Sequence, residues 1–282
     1  MPQLSIIIVT WNSAEDITAC IDSVIKAAAP LRAELIIIDN NSADNSFELV
    51  NKISFTRLQT LRNSENLGYT KAVNQGLKLA KGKYILLLNP DTVLDESSIV
   101  KMYDYLELNP AYGACAPKMK NEDGSIQYSV RNFPTYWRMF CEFSLLAYIF
   151  PGTKLFGSWK ARYMNYSIEQ DIQQPMAAAF MANSEIVKRT GYMDERYKMF
   201  FNDVDLCKSI YDSGFKIRLI PEAVVIHKHG ASIKKDRANM IRIWNEDCAR
   251  YFEKHFGSSL LLLWLKLNLK ITGFIRSLLA KT

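Results

Sequence analysis

The sequence predicts an α/β fold in which a mostly parallel central sheet is flanked by helices and followed by a C-terminal amphipathic helical extension. Three observations lead to this prediction. Short apolar runs alternate with helical patterns through the first third of the chain, and such alternation produces parallel strands with right-handed crossovers. One run, over 83–88, stops abruptly at Asn-Pro-Asp. A regular apolar stripe with basic residues beside it occupies the chain after Gly257.

Composition places the chain among ordinary globular proteins. Its 282 residues are 49% hydrophobic and 23% charged, which suits one large α/β domain with a C-terminal addition, or two small domains. The 35 Lys and Arg against 29 Asp and Glu suit phosphate-bearing ligands or anionic membrane, whereas no dense basic run indicates nucleic acid. Five cysteines without paired spacing favour a reducing compartment and argue against structural zinc. Because no signal-peptide pattern precedes the first strand, we expect a cytoplasmic protein.

The first strand is predicted over Leu4–Thr10, a β-branched run typical of a strand covered on both faces. Ser13 and Asp16 resemble a capping box for the helix that follows. The second predicted strand, 34–39, ends in Asp39. An aspartate at this place is suited to accept hydrogen bonds from a nucleoside base or ribose, and a turn or helix-cap role is the alternative.

A third strand, predicted over 56–62, leads to a helix whose entrance carries Gly68. A glycine there lets backbone N–H groups approach a phosphate, although a plain turn explains it equally well. The helix ends near Gly82, where the central strand begins. Since no G-x-G-x-x-G follows the first strand, we do not expect a dinucleotide-binding loop.

The central strand delivers Asp91 to its carboxyl end, and ligands of open α/β sheets bind beyond the carboxyl ends of the strands. A carboxylate would repel a nucleoside diphosphate unless a divalent cation lies between them. Asp91 is therefore our candidate ligand of Mg²⁺ or Mn²⁺. The alternative is that it caps a helix beginning near 95–97.

The second half of the chain has a different composition, with aromatic and apolar segments in place of the regular alternation. A turn at 121–125 predicts a hairpin, and an aromatic and basic segment follows over 128–137. The apolar segment 139–151 is too short to span a bilayer, so we interpret it as a lid or lipid-facing surface, with a buried helix as the equal alternative. We expect both segments to shape the acceptor site.

Two pairs of functional side chains come late in the chain. Asp203 and Asp205 begin an amphipathic helix, where the helix dipole keeps a carboxylate ionised and suits a general base; ordinary N-capping by one of them is the alternative. His227 and His229 end a late strand, predicted as segments over 216–221 and 224–230. Because strand side chains alternate, only one of these histidines can easily face a metal site.

Six motifs in the same order resemble the family-two glycosyltransferases, and most of all their bacterial rhamnosyltransferase-type members. The motifs are 6–12, Asp39-Asn40-Asn41-Ser42, Asn66-Leu67-Gly68, Asn89-Pro90-Asp91, Asn202-Asp203-Val204-Asp205-Leu206-Cys207 and His227-x-x-Gly230-x-Ser232. The resemblance implies a GT-A fold and an inverting transfer from a nucleotide-activated sugar, usually dependent on Mg²⁺ or Mn²⁺.

The resemblance also implies roles for particular residues. Asp39 would contact the base or ribose of the donor, Asp91 and His227 would contact the metal or diphosphate, and Asp203 would take the proton from the acceptor hydroxyl. The other donor contacts implied are Thr10, Asn12, Asn41, Asn66, Gly68 and Asn89, with Asn202, Asp205 and His229 as secondary candidates. Two departures stand out: Asn89-Pro90-Asp91 replaces the Asp-x-Asp of many relatives, and Asn202 stands where many carry Glu.

We predict a GT-A domain over 1–256, with a nucleotide-binding half at 1–95 and an acceptor-binding half at 96–256, and a membrane-associating helical tail at 257–282. The predicted apolar stripe of the tail is Leu260, Trp264, Leu267, Ile271, Phe274, Ile275 and Leu278, with Lys266, Lys270 and Ser277 opposite. Such a helix suits an anionic membrane surface. A helix packed on the domain or on a second subunit is the alternative.

The sequence thus predicts a cytoplasmic, membrane-peripheral glycosyltransferase that uses a nucleotide-sugar donor and a glycan or polyprenyl-diphosphate-linked acceptor in bacterial surface polysaccharide assembly. A rhamnosyl donor follows from the resemblance alone, and a homodimer is left open. The rivals are a catalytically silent scaffold that binds nucleotide-sugar, and a sugar-phosphate nucleotidyltransferase. The latter requires a glycine-rich loop after the first strand, and Thr10-Trp11-Asn12-Ser13 contains no glycine.

Overall fold

A computed structural model describes residues 1–228 and 237–279. Its strands are β1 Leu4–Thr10, β2 Ala33–Asp39, β3 Leu58–Arg62, β4 Tyr84–Leu88, β5 Thr92–Leu94, β6 Tyr112–Lys120, β7 Val130–Arg131, β8 Gln170–Ile172, β9 Gln174–Pro175, β10 Ala179–Asn183 and β11 Lys216–His227. Its helices are α1 Ile17–Ala28, α2 Ser46–Asn51, α3 Tyr69–Leu79, α4 Ser98–Leu108, α5 Tyr136–Phe143, α6 Leu146–Ile149, α7 Ser184–Arg189, α8 Asn202–Asp212, α9 Arg237–Phe256 and α10 Leu260–Leu279.

The central sheet has the order β3-β2-β1-β4-β10-β6-β11-β5, with β8 added beside β11. The first four of these strands are parallel, and β6 is parallel to β11. Strand β10 runs antiparallel to both of its neighbours and joins the two halves. The predicted mostly parallel α/β sheet is confirmed.

Both faces of the sheet are covered, which explains the continuous apolar runs of its central strands. Ile6 and Ile8 of β1 face a core shared with α1 and α4, whereas Ile7 and Val9 face a core shared with α3 and α8. Because alternate residues of each strand enter different cores, every side chain of β1, β2 and β4 is buried.

Three local expectations are wrong. Helix α1 begins at Ile17 without a side-chain cap, because the Ser13 N–H bonds the Ser46 hydroxyl at 2.8 Å instead of taking part in a capping box. Neither acid at the start of α8 is its N-cap, since Phe201 holds that position in a left-handed conformation. The two predicted late strands are one, β11, with a register shift between Ile220 and Val224.

The C-terminal helices pack against each other and against the domain. The Asn245 amide of α9 donates to the Leu269 carbonyl of α10 at 2.8 Å. Leu262, Leu265 and Leu269 are buried in a core shared with α5 and α9. The face of α10 opposite the predicted stripe, expected to be basic, therefore also carries apolar side chains that pack against the domain. The alternative of a helix packed on the domain is therefore correct for this face.

Leu260, Leu267, Ile271, Phe274 and Ile275 of the predicted stripe are exposed, whereas Trp264 packs partly against the core. Exposed apolar side chains continue over α5 and α6. We call this surface the apolar strip. Its exposed members are Trp137, Phe140, Leu145, Tyr148, Ile149, Phe150, Leu155, Leu260, Leu263, Leu267, Ile271, Phe274 and Ile275. A ring contact joins the α5 part of this strip to α10, because the ring centres of Phe140 and Trp264 are 6.2 Å apart. In the described ranges, no helix is long and apolar enough to cross a membrane.

Candidate active site

The carboxyl ends of β1 and β2 present two buried polar atoms without protein partners. Thr10 and Asp39 are paired in register, and both are buried. One oxygen of Asp39, Oδ2, accepts from the Ser42 N–H at 3.1 Å and lies 3.4 Å from Arg62 Nε. The other, Oδ1, and the Thr10 hydroxyl have no hydrogen-bond partner within the described part of the chain. Because buried polar atoms are normally paired, these two fit a ligand hydroxyl or N–H.

Asparagines hold the loops beside this edge. Asn12 has a left-handed φ of 51°, and its side-chain oxygen accepts from the Ala43 N–H at 2.8 Å. The Asn66 oxygen accepts from the Asn40 amide and from the Gly68 N–H. The side-chain oxygens of Asn12 and Asn66 therefore stabilise the loops. Contacts from the two residues to the sugar-nucleotide donor stay predictions.

Gly68 and Asn41 both have backbone conformations that suit their residue types. Gly68 is the N-cap of α3 with a φ of 83°, a region that glycine enters without strain. Asn41 is exposed with a φ of 63°, which asparagine tolerates better than most residues. The predicted phosphate approach at Gly68 and the donor contact of Asn41 stay predictions.

Asp91 and His227 come together at the end of β4. Asn89 precedes Asp91, and its carbonyl accepts from the Thr92 hydroxyl at 2.7 Å, which shapes the turn. Thr92 opens β5 and pairs in register with His227. This pairing places the His227 Nε2 atom 3.3 Å from Asp91 Oδ1.

A glutamine fixes the orientation of the His227 ring. The Gln127 amide nitrogen donates to the His227 and Asn121 oxygens at 3.2 and 3.0 Å, which turns the amide oxygen toward His227 Nδ1 at 2.8 Å. Gln127 therefore holds Nδ1, and Nε2 is the nitrogen that faces Asp91. An imidazole beside a carboxylate, with its other ring nitrogen hydrogen-bonded, is an arrangement that suits a metal ligand held by an outer hydrogen bond.

This donor set fits a divalent ion that is shared with a ligand. Within residues 1–228 and 237–279, no cluster of three or more His, Cys, Asp and Glu could hold a metal by itself. Asp91 and His227 supply one oxygen and one nitrogen, and Mg²⁺ or Mn²⁺ would take its remaining ligands from phosphate oxygens and water.

Asp203 lies at the start of α8, where its carboxylate is enclosed. The Gln174 amide nitrogen donates to Asp203 Oδ2 at 3.2 Å. Burial raises the pKa of Asp203, while backbone N–H groups of Val204 and Ala177 and the charge of Arg131 oppose the rise. The helix-dipole expectation is thus outweighed, because burial has a larger effect on this pKa than the hydrogen bonds to the carboxylate.

Tyr69 connects the two acidic sites. It is the first residue of α3, directly after Gly68. Burial raises the pKa of its phenol, and the charges of Asp203 and Asp91 raise it further. Tyr69 is therefore within electrostatic reach of both carboxylates. The groups that act electrostatically with Asp203 are Arg131, Tyr69 and Cys207.

Two of the secondary candidates have structural roles, and a third is outside the described residues. Asp205 Oδ1 accepts from His255 Nε2 at 2.7 Å, and Oδ2 accepts from Lys254 Nζ at 2.8 Å, so its carboxylate contacts α9. Asn202 is buried and donates to the Thr70 hydroxyl at 3.0 Å, which ties α8 to α3. His229 lies outside the described residues.

Four further residues of the candidate site are not predicted from the sequence. Gln127 and Gln174 contact His227 and Asp203, and no spacing signal in the chain points to either. The signal for Tyr69 is its place directly after Gly68 at a helix start. Arg131 lies in the aromatic and basic segment 128–137.

The order of the central sheet is that of a GT-A fold, which solved glycosyltransferase structures share with this chain. The profile described as "Glycosyl transferase family 2" matches residues 5–172. The chain belongs to that family.

Similar proteins agree with this assignment. The N-acetylglucosaminyl-diphospho-decaprenol L-rhamnosyltransferase of Mycobacterium tuberculosis H37Rv is 24% identical over 251 residues, which cover 84% of this chain and 79% of that protein. The crystal structure of Staphylococcus aureus TarS residues 1–349 has a TM-score of 0.58 at 17% identity, covering 98% of this chain and 80% of that one. The mannosyltransferase PcManGT of Pyrobaculum calidifontis, solved with GDP-Man and Mn²⁺, has a TM-score of 0.63 at 14% identity, covering 99% and 73%.

Proposed function

We propose that this glycosyltransferase moves a sugar from a nucleoside-diphosphate donor to a hydroxyl of a lipid-linked glycan with inversion at the anomeric carbon. Rhamnose from dTDP-rhamnose is the first candidate, supported by the mycobacterial relative, and bacterial surface polysaccharide assembly is the proposed context. The observation that carries the proposal is the Asp91–His227 pair at the end of β4, together with the enclosed Asp203 carboxylate, both within electrostatic reach of Tyr69.

On the donor side, the unpaired Thr10 hydroxyl and Asp39 Oδ1 would bind the ribose or base. Asp91 and His227 would hold Mg²⁺ or Mn²⁺, whose charge stabilises the diphosphate as it leaves. Asn89 and Gly68 border the same end of the sheet. Together these residues fix the donor so that its anomeric carbon faces the Asp203 side of the cleft.

On the acceptor side, Asp203 takes the proton of the attacking hydroxyl as general base. The bond from the acceptor oxygen to the anomeric carbon forms while the bond from that carbon to the diphosphate oxygen breaks. A pKa raised by burial makes Asp203 a stronger base than an exposed aspartate. With the base on one side of the sugar and the leaving group on the other, a single displacement would invert the anomeric centre.

The apolar strip supports a peripheral position on the cytoplasmic membrane face, where a lipid-linked acceptor resides. Leu267 and Phe274 are 57% and 67% exposed, and Lys270 is also exposed beside them. Apolar side chains flanked by basic groups suit the headgroup region of an anionic bilayer. The strip is shared by α5, α6 and α10, so the membrane-facing surface extends beyond the tail at 257–282.

Ligand-dependent thermal stability tests the donor and metal assignments. A ligand that binds only the folded protein raises its midpoint by mass action. We expect one of the UDP-, dTDP-, GDP- and CMP-sugars to raise it in the presence of Mn²⁺, and Asp91→Asn to abolish the Mn²⁺-dependent part alone. Binding without turnover on any lipid-linked acceptor would indicate the silent scaffold. Release of pyrophosphate from a nucleoside triphosphate and sugar phosphate would indicate the nucleotidyltransferase.

A further inference from the structure

We propose that Arg131, backed by Trp159, forms an anion-binding subsite that takes the diphosphate of a lipid-linked acceptor beside Asp203. The inference rests on the proposed function and deepens it, because it assigns the acceptor phosphate to particular residues. The chemistry that the subsite recognises is a phosphate or diphosphate group.

An aromatic ring of the protein holds the guanidinium of Arg131 in place, while its N–H donors are left for a ligand. Its central carbon lies 4.9 Å from the centre of the Trp159 ring, which fixes the plane of the group by cation–π contact. No oxygen in the described ranges of the chain accepts a hydrogen bond from it. An arginine carries five N–H donors in a planar fork that matches phosphate oxygens, so these donors are available to a ligand.

The backbone places Arg131 beside a residue that contacts the proposed general base. Arg131 of β7 pairs in register with Gln174 of β9, and the Gln174 side chain contacts Asp203. Burial lowers the pKa of Arg131, and Asp203 is the first group to oppose that change. The positive charge is therefore held near Asp203, although no ion pair joins the two side chains within the described residues.

Gln174 provides a second, independent sign of a ligand. Its amide nitrogen bonds the Pro175 carbonyl and Asp203, which assigns the two ends of the amide. Its Oε1 atom is buried without a hydrogen-bond partner among the described residues. Buried polar atoms without a partner are rare in folded proteins. An acceptor hydroxyl next to the one that reacts would satisfy this oxygen.

The position of Arg131 favours the acceptor over the donor. Arg131 pairs in register with Gln174, whose amide contacts Asp203. Arg131 is therefore tied to Asp203, the proposed general base, through one residue, whereas Asp91 is paired with His227. Trp159 belongs to the same core as Met139 of α5, and α5 carries part of the apolar strip. A prenyl chain on the strip would bring its diphosphate toward this arginine.

Acceptor kinetics with Arg131→Gln test the proposal. The probes are N-acetylglucosamine linked to a prenyl diphosphate and the same sugar as a neutral octyl glycoside. Loss of a charge-assisted hydrogen bond predicts a fall in kcat/KM of about 10- to 100-fold for the diphosphate acceptor. At a pH where Asp203 is fully ionised, the neutral acceptor should change less than about twofold, and the donor-induced midpoint shift should stay the same. Arg131→Lys keeps the charge but loses the fork, so it should recover part of the loss.

Arg162→Gln is the matched control, because it removes an exposed positive charge close to Arg131 and should leave both acceptors unchanged. Equal losses of Arg131→Gln on both acceptors would overturn the proposal and make Arg131 a support for Asp203. If Arg131→Gln reduces only the donor-induced shift of the unfolding midpoint, the proposal is overturned, because the arginine then belongs to the donor site. Wild-type protein that transfers to neither acceptor contradicts the proposed function instead.

A binding measurement without turnover keeps the proposal testable in that case. Calorimetry in metal-free buffer would compare geranylgeranyl diphosphate, geranylgeraniol and inorganic pyrophosphate. We expect the prenyl diphosphate to bind more tightly than the alcohol and Arg131→Gln to erase the difference. Pyrophosphate binding as tightly as the prenyl diphosphate would show a site for the free anion and refute the lipid assignment. Identical binding by wild type and variant would refute the subsite itself.

Discussion

Two acids of α8, Asp203 and Asp205, should respond in opposite ways to the same substitution. Asp205 is 3% exposed at its side chain and contacts Lys254 and His255 of α9. Removing one member of a buried ion pair costs about 3 to 5 kcal/mol. Because Lys254 is itself 31% exposed, we expect Asp205→Asn to cost about 3 kcal/mol, near the lower end of that range.

Such a loss lowers the unfolding midpoint by about 6 to 12 °C for a domain of this size. Asp203→Asn removes a buried charge that has no ion-pair partner in the described ranges, so the midpoint should change by less than about 3 °C. The transfer rate should nevertheless fall by about 10²- to 10⁴-fold, since the general base is gone. Asp205→Asn should keep a kcat near wild type for the folded fraction.

Differential scanning fluorimetry and initial-rate assays on the same preparations measure both effects. The reasoning is refuted if Asp205→Asn abolishes transfer at unchanged stability, because Asp205 would then act in the chemistry. It is equally refuted if Asp203→Asn retains full activity.

Three further predictions concern pH, the donor and the membrane. The rate with a neutral acceptor should rise with pH as Asp203 loses its proton. In Arg131→Gln this rise should occur at higher pH, because the charge that lowers the Asp203 pKa is removed. Asp39→Asn should weaken donor binding about tenfold, the cost of one charge-assisted hydrogen bond, as measured by calorimetry. Leu267→Gln with Phe274→Gln should reduce sedimentation with vesicles of phosphatidylcholine and phosphatidylglycerol by about tenfold, because two exposed apolar side chains leave the interface.

Each of these has a defined control. The pH limb of Arg162→Gln should match wild type, and an unshifted limb in Arg131→Gln would contradict the electrostatic coupling. Asp39→Asn should bind pyrophosphate as wild type does. Leu108→Gln removes an apolar side chain that is 78% exposed on α4, away from the strip, and should not affect vesicle binding. Unchanged sedimentation of the double variant, with a concentration-dependent dimer that it disrupts, would assign the strip to a second copy of the chain.

The local part of this structure was predictable because periodicity is local. The alternation from β1 to β4 and the position of Asp91 after β4 follow from apolar runs and turn residues alone. The ends of elements were less accurate. The predicted capping box at Ser13 failed because its N–H bonds Ser46, a residue of the next βα unit.

Contacts between residues that are distant in the sequence could not be predicted from the spacing of residue types. His227 is oriented by Gln127, one hundred residues earlier, and Asp205 is neutralised by residues about fifty positions later. In the absence of the fold, Asp203 and Asp205 look equivalent, although Asp203 contacts Gln174 and Asp205 contacts Lys254 and His255 of α9. Helix α10 is apolar on two sides, so its pattern gave the exposed stripe but not the buried face with Leu265.

The anomeric configuration of the product tests the central claim most directly. The measurement is NMR of the glycoside formed by wild-type protein from dTDP-rhamnose, or from the nucleotide-sugar that raises the midpoint, and a prenyl-diphosphate-linked N-acetylglucosamine. A single displacement with Asp203 as base predicts a product whose configuration is opposite to that of the donor. A product that retains the donor configuration would contradict this mechanism, because retention excludes one inverting displacement.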